Sequence, residues 1–186
     1  MASARINKFE NIPLFQRMAL QQIPGNGSLQ IQGVYIPGSL SFNTVALMFS
    51  AQGTTAKTAT ISFGLYSLTG STLSLANSAS QSTNPTANQL SWVTLVTSAT
   101  QDITPGNWYL AIMSSSSSNS RMSFICNTNA GDFLANGVYG GVFVRGFLSV
   151  STSALPASIA TSDLSKEGSG FANAAYLNYP YILISA

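Results

Sequence analysis

The chain has few residues with which to do covalent chemistry. Its 186 residues hold seven Lys and Arg, five Asp and Glu, one Cys and no His. Without histidine, no Ser-His-Asp or Cys-His nucleophilic arrangement and no His-containing metal site can form. The carboxylates are Glu10, Asp102, Asp132, Asp163 and Glu167. A glycosidase needs two of them across a scissile bond. Asp102 and Asp132 are the pair to consider, but Asp102 precedes a Pro-Gly turn, where Asp commonly serves the turn itself. Asp163 beside Lys166 and Glu167 reads as a surface ion-pair cluster, with a Ca²⁺ site as the second option. Gly137 to Gly141 lacks the Lys and the strand–helix context of a phosphate loop. Cys126 shares alternate positions with Met122 and Phe124, as a buried structural thiol does, and one cysteine makes no intramolecular disulfide. The expectation is no enzyme, no catalytic residues, no metal site and no cofactor.

Binding remains. Tyr35, Trp92, Trp108, Tyr139, Tyr176 and Tyr179 lie near loops, where aromatic rings stack on sugars while Asn and Gln supply hydrogen bonds. Trp92 and Trp108 sit on alternating strand positions and are predicted to be core. Tyr176 and Tyr179, in ANAAYLNYPY, are the predicted exposed contacts. Charged residues make up only 6% of the chain, where about 25% is usual, and Ser, Thr, Asn and Gln supply the polarity. Such a surface offers hydrogen bonds without the cost of burying charge, which suits a protein seated among neighbours. Arg5, Lys8 and Arg17 face only Glu10 near the start, and the remaining charges cancel. No basic face results, so nucleic acid is not an expected partner.

The elements that must position these groups are strands. Ala59, Ile61, Phe63 and Leu65 alternate with Thr60, Ser62, Gly64 and Tyr66, the period-two pattern of a half-buried strand. Thr69-Gly70-Ser71-Thr72 is turn chemistry before a second run through Leu73 and Leu75. Trp92, Thr94 and Val96 share one face of a third run, opposite Val93 and Leu95. Trp108, Leu110 and Ile112 alternate with Tyr109, Ala111 and Met113 in a fourth. Between these two, Thr104-Pro105-Gly106-Asn107 fits a type II turn. Further strands are expected from Leu29, over 41–50, over 138–150 and at 179–185. Ile159 to Leu164 reads as one helical turn with Ser158 as its N-cap. The count gives an all-β fold, an antiparallel β-sandwich of the jelly-roll type, with an immunoglobulin-like sandwich as runner-up.

Residues 1–28 differ from the rest, and they read as an extended N-terminal arm for docking or assembly, ahead of a β-sandwich domain at 29–186. Ile6, Phe9, Leu14, Phe15 and Met18 are the apolar groups expected to lie on neighbouring subunits, and Arg5, Lys8 and Arg17 the cations expected to pair with carboxylates there. No continuous apolar h-region marks a signal peptide. No apolar run approaches the roughly 20 residues that cross a bilayer, so no membrane partner is expected.

The segments ISFGLYSLTGSTLSLANSAS, SWVTLVTSATQDITPGNWYLAIM, VSTSALPASIATSDL and YPYILISA resemble small virion structural proteins of tailed bacteriophages. They occur in the same order as in that group and cover most of Thr58 to Ala186. The resemblance implies a jelly-roll-like domain on the phage particle, made in the host cytoplasm. Together with the composition of the arm and the nearly uncharged domain, it leads to the expectation of a capsid decoration or cement protein, with the major capsid protein as its partner and a homotrimer as its expected state. The alternative it allows is a fibre or tail-tip module that recognises a host-surface glycan.

Overall fold

The computed structural model describes residues 5–6, 8–10, 17–22, 28–51, 58–83, 91–116, 122–127, 138–139, 142–143, 145–149, 154–164 and 182–185. Its strands begin with β1 (Arg5–Ile6), β2 (Lys8–Glu10), β3 (Arg17–Gln22), β4 (Ser28–Ile36) and β5 (Ser39–Ala51). The middle of the chain supplies β6 (Ala59–Thr69), β7 (Thr72–Thr83), β8 (Ser91–Ile103), β9 (Gly106–Ser116) and β10 (Met122–Asn127). The short strands β11 (Val138–Tyr139), β12 (Val142–Phe143), β13 (Arg145–Ser149), β14 (Ser158–Ala160) and β15 (Ile182–Ser185) follow.

The long strands pair as nested antiparallel couples: β6 with β7, β5 with β8, β4 with β9 and β3 with β10. Cross-pairing of β10 with β5 and of β9 with β6 joins the couples into two sheets. One sheet runs β3-β10-β5-β8 and the other β4-β9-β6-β7, so successive couples alternate between sheets. This is a jelly roll, a long ribbon doubled over on itself. Shorter strands widen it. β15 lies between β5 and β2, β1 runs parallel beside β5, β13 flanks β4 and β14 flanks β7. The arm predicted at 1–28 thus holds the first strand of the roll and two flanking strands. The boundary drawn after residue 28 falls one residue into β4, inside a strand of the roll.

Local sequence sets the turns. Gly70 begins the two-residue link from Thr69 to Thr72 with φ 61, the positive φ that primed hairpin turns need and glycine supplies without strain. Pro105-Gly106 does something else. β8 and β9 belong to different sheets, so Thr104-Pro105 crosses between layers, and Gly106 has φ 149, far from the roughly +80° of a type II turn. The β4–β5 link at Pro37-Gly38 crosses beside it, because Ile36 lies opposite Gly106 and Leu40 opposite Ile103. Trp108 Nε1 donates to the Thr104 carbonyl at 2.9 Å and braces the crossing.

The sheets pack over Ile36, Phe42, Val45, Leu47, Ile61, Phe63, Leu65, Leu95, Leu110 and Ile112, all fully buried, with the terminal Ile182 and Ile184 among them. A second apolar cluster covers the outer face of the β4-β9-β6-β7 sheet. It holds Leu29, Ile31, Tyr66, Leu73, Tyr109 and Met113 under Ile159 and Leu164. The predicted helical turn over 159–164 is corrected here. Ser158–Ala160 is a strand on β7, and only Thr161–Asp163 turn as a 3-10 helix, with Ala160 rather than Ser158 at the N-cap. The reason is the backbone that β7 and the turn before it offer: Leu75 N donates to the Ala157 carbonyl at 2.9 Å, and Thr161 N to the Ser71 carbonyl at 2.8 Å. Tyr66 Oη donates to the Pro156 carbonyl at 2.8 Å and pins the cover down.

Burial pushes the phenol pKa values of Tyr66 and Tyr109 up. The folded state therefore keeps protons that the unfolded chain releases near pH 10, and stability must fall as pH rises above about 10. Urea midpoints should be level from pH 7 to 9 and drop beyond pH 10. Tyr66→Phe should lessen that drop while losing about 0.5–1.5 kcal/mol at neutral pH with the Pro156 hydrogen bond.

Candidate functional site

The described surface is notable for apolar groups left in solvent rather than for reactive ones. On β8, Val93, Leu95 and Thr97 point into the sandwich, so Trp92, Thr94 and Val96 point out of it. Trp92 is 51% exposed and Val96 65% exposed. The prediction that Trp92 is core is thereby corrected, whereas Trp108 is half-buried and packs on the inter-sheet core.

Strand register extends this face across the sheet. Trp92 lies opposite Met48, Thr94 opposite Ala46, and Val96 opposite Thr44. Ala46 pairs in turn with Leu183, and Thr44 with Ser185. The two rows end at Glu10 and Lys8 on β2. Met48, Ala46 and Leu183 are half-buried and Lys8 is exposed. The result is an uncharged strip, apolar at Trp92, Met48, Ala46, Val96 and Leu183 and hydroxyl-bearing at Thr94, Thr44 and Ser185, that meets charge only at β2. A large exposed apolar side chain flanked by others marks a contact surface more often than an isolated one does.

β8 is regular only over its first half. Thr44 pairs with Val96 but Phe42 pairs with Gln101, so Thr97–Thr100 form a bulge. Thr97 Oγ1 donates to the Ala99 carbonyl at 2.7 Å and holds the bulge in place. Beside it runs a groove of about 510 Å³, lined by Ser62, Ser78, Ser80 and Ser98 together with Leu75, Val96 and Leu155. Its walls carry hydroxyls and methyl groups but no charge.

Of the predicted assembly contacts, Ile6 and Phe9 are partly buried against this chain's own inter-sheet core. β1 and β2 are stitched into the sheet by β5 and β15, which accounts for that packing. Arg5 and Lys8 are exposed at the same margin. Arg17 and Met18 lie on β3, opposite β10. Leu14, Phe15, Tyr176 and Tyr179 lie outside the described residues. So do Asp132, Lys166 and Glu167, while Asp102 and Asp163 are exposed. No group of three or more Cys, Asp or Glu that could hold a metal ion occurs among the described residues.

Trp92 was hidden from sequence reading because both faces of 92–96 are apolar or neutral, so alternation alone does not say which face turns inward. One further signal was available. No charged residue occurs between Lys57 and Asp102, a span that contains all of β6 and β7 and nearly all of β8.

No known protein family matches the chain, and no curated protein is similar to it. Among solved structures the chain is similar to one in the crystal structure of the T13 IBDV viral particle, at 9% identity over 98% of this chain, with a TM-score of 0.25. The chain spans 36% of that chain's length.

Proposed function

We propose that this chain is a non-enzymatic structural protein of a bacteriophage virion, a decoration or cement subunit seated on the outer shell. The observation that carries the reading is the solvent-facing strip from Trp92 to Leu183 on a jelly roll with almost no charge. Three further points support it. Jelly rolls recur in capsid and lectin domains. The chain has no histidine and only five carboxylates, which leaves binding as its means of action. Its strand segments resemble those of phage virion proteins.

Docking to the shell falls to the β1–β2 margin, where Arg5 and Lys8 are exposed beside the end of the strip. Added to particles that lack it, the purified chain should co-sediment with them, and rising salt should release it as exposed charges are screened. Arg5→Glu with Lys8→Glu should weaken retention about tenfold or more, since like-charge contact against an acidic surface opposes docking. Full retention of this double variant counts against the margin as the docking site. Failure of the unaltered chain to co-sediment counts against the virion role itself.

A second reading rests on the groove. Four serines around Leu75, Val96 and Leu155 offer hydrogen bonds and a methyl-lined floor without charge, which suits a neutral saccharide. On that reading the chain is a fibre or tail-tip module for a host glycan. A panel of neutral host-surface saccharides should then give a hit that Ser78→Leu abolishes, and a panel without hits removes this reading.

A further inference from the structure

We infer that β8 is a self-association edge, at which two copies of this chain pair their β8 strands antiparallel about a two-fold axis through Thr94. Among the described residues β8 has one strand partner, β5, so its other side forms a margin of the sheet. Margins of this kind are templates for pairing, and proteins that must stay apart guard them with Lys, Pro or inward charges. β8 carries none of these from Ser91 to Gln101. Its neighbour on that side of the sandwich, β7, has no charge or proline either.

The spacing of the exposed residues decides the occupant. In an antiparallel pairing centred on Thr94, Thr94 meets its own copy and Trp92 meets Val96 of the other chain, twice over. Each large exposed side chain of β8 is then covered by the other, as an aromatic opposite a β-branched residue, a favourable cross-strand pair. Val93 and Leu95 meet across the same axis on the inner side and continue the inter-sheet core. No like charges face each other in this register, because none are present. The bulge at Thr97–Thr100 ends the regular edge just beyond Val96, which confines the pairing to the stretch before it. A strand of unrelated sequence gains none of this mutual cover. The interface is isologous and closes on two copies, in place of the expected trimer. The inference rests on the sequence and exposure of β8 and stands apart from the virion role.

The test uses the full chain in sedimentation equilibrium over a wide concentration range, with circular dichroism as the check on folding. Thr94 is exposed, so Thr94→Lys leaves the fold intact while placing two ammonium groups opposite each other. It should raise the dimer dissociation constant about tenfold or more. Trp92→Lys combined with Val96→Glu puts opposite charges face to face in this register only, and should associate more tightly than Val96→Glu alone. In a Cys126→Ser background, Thr94→Cys should form an intermolecular disulfide on mild oxidation, and Thr100→Cys should not. A chain that stays monomeric at every concentration overturns the inference, as does a dimer or trimer indifferent to Thr94→Lys. A monomer that still co-sediments with particles overturns it while leaving the virion reading standing.

Discussion

Phe63→Ala should lower the stability of the folded chain by about 3–5 kcal/mol. A domain of this kind is held by roughly 5–15 kcal/mol in all, so this one change removes a large share. Phe63 sits on β6 between Ala79 of β7 and Ile112 of β9, and its ring is fully buried in the inter-sheet core with Phe42, Leu65 and Leu95. Truncation leaves a cavity bounded by two hydrogen-bonded sheets, which cannot collapse into it without giving up backbone pairing. Urea unfolding checks this: the midpoint should fall while the slope stays unchanged. Thr94→Ala, on the exposed side of β8, should stay within about 0.5 kcal/mol of the unaltered chain. A loss below about 1 kcal/mol at Phe63 would mean that the two sheets do not pack as described.

Gly64→Val should cost about 1–3 kcal/mol on the opposite face of the same strand. A Cβ added at Gly64 meets Tyr66 Cε2 at 2.7 Å, Leu155 Cδ1 at 3.1 Å and Leu75 Cδ1 at 3.2 Å. Strand propensity alone favours Val here by up to about 1 kcal/mol, so the sign separates packing from propensity. The Tyr66 ring has little room to move, because its hydroxyl is bound to the Pro156 carbonyl and the ring is fully buried. The segment 154–164 must lift instead. Its hydrogen bonds to β7 report that directly: the amides of Leu75 and Thr161 should exchange faster in Gly64→Val. A more stable variant with unchanged exchange would show that nothing packs over this face.

These two neighbours show how far the sequence could be read. Ala59, Ile61, Phe63 and Leu65 announced a strand and its buried face, and Gly70 announced the hairpin. That the other face is buried too was not legible, because its cover arrives from Pro156, ninety residues further on. β3 poses the same difficulty. Arg17 to Gln22 has no clear alternation, and it is a strand because β10 pairs with it from more than a hundred residues away. Thr104-Pro105-Gly106 carries a turn signature that is local, whereas its role in crossing between sheets depends on Pro37-Gly38 doing the same alongside. At the candidate site, the charge-free span from β6 to β8 was visible. The outward turn of Trp92 was not, since Val93 and Leu95 on one face and Trp92 and Val96 on the other are equally fit to be core.

The proposed role is action by position on a particle and not by reaction. Gold labelling of a tagged subunit on intact, infectious particles, followed by electron microscopy, tests it most directly. The account predicts label at regularly repeated sites over the outer shell. Particles that carry no label, from cells in which the tagged chain is abundant and folded, would contradict it.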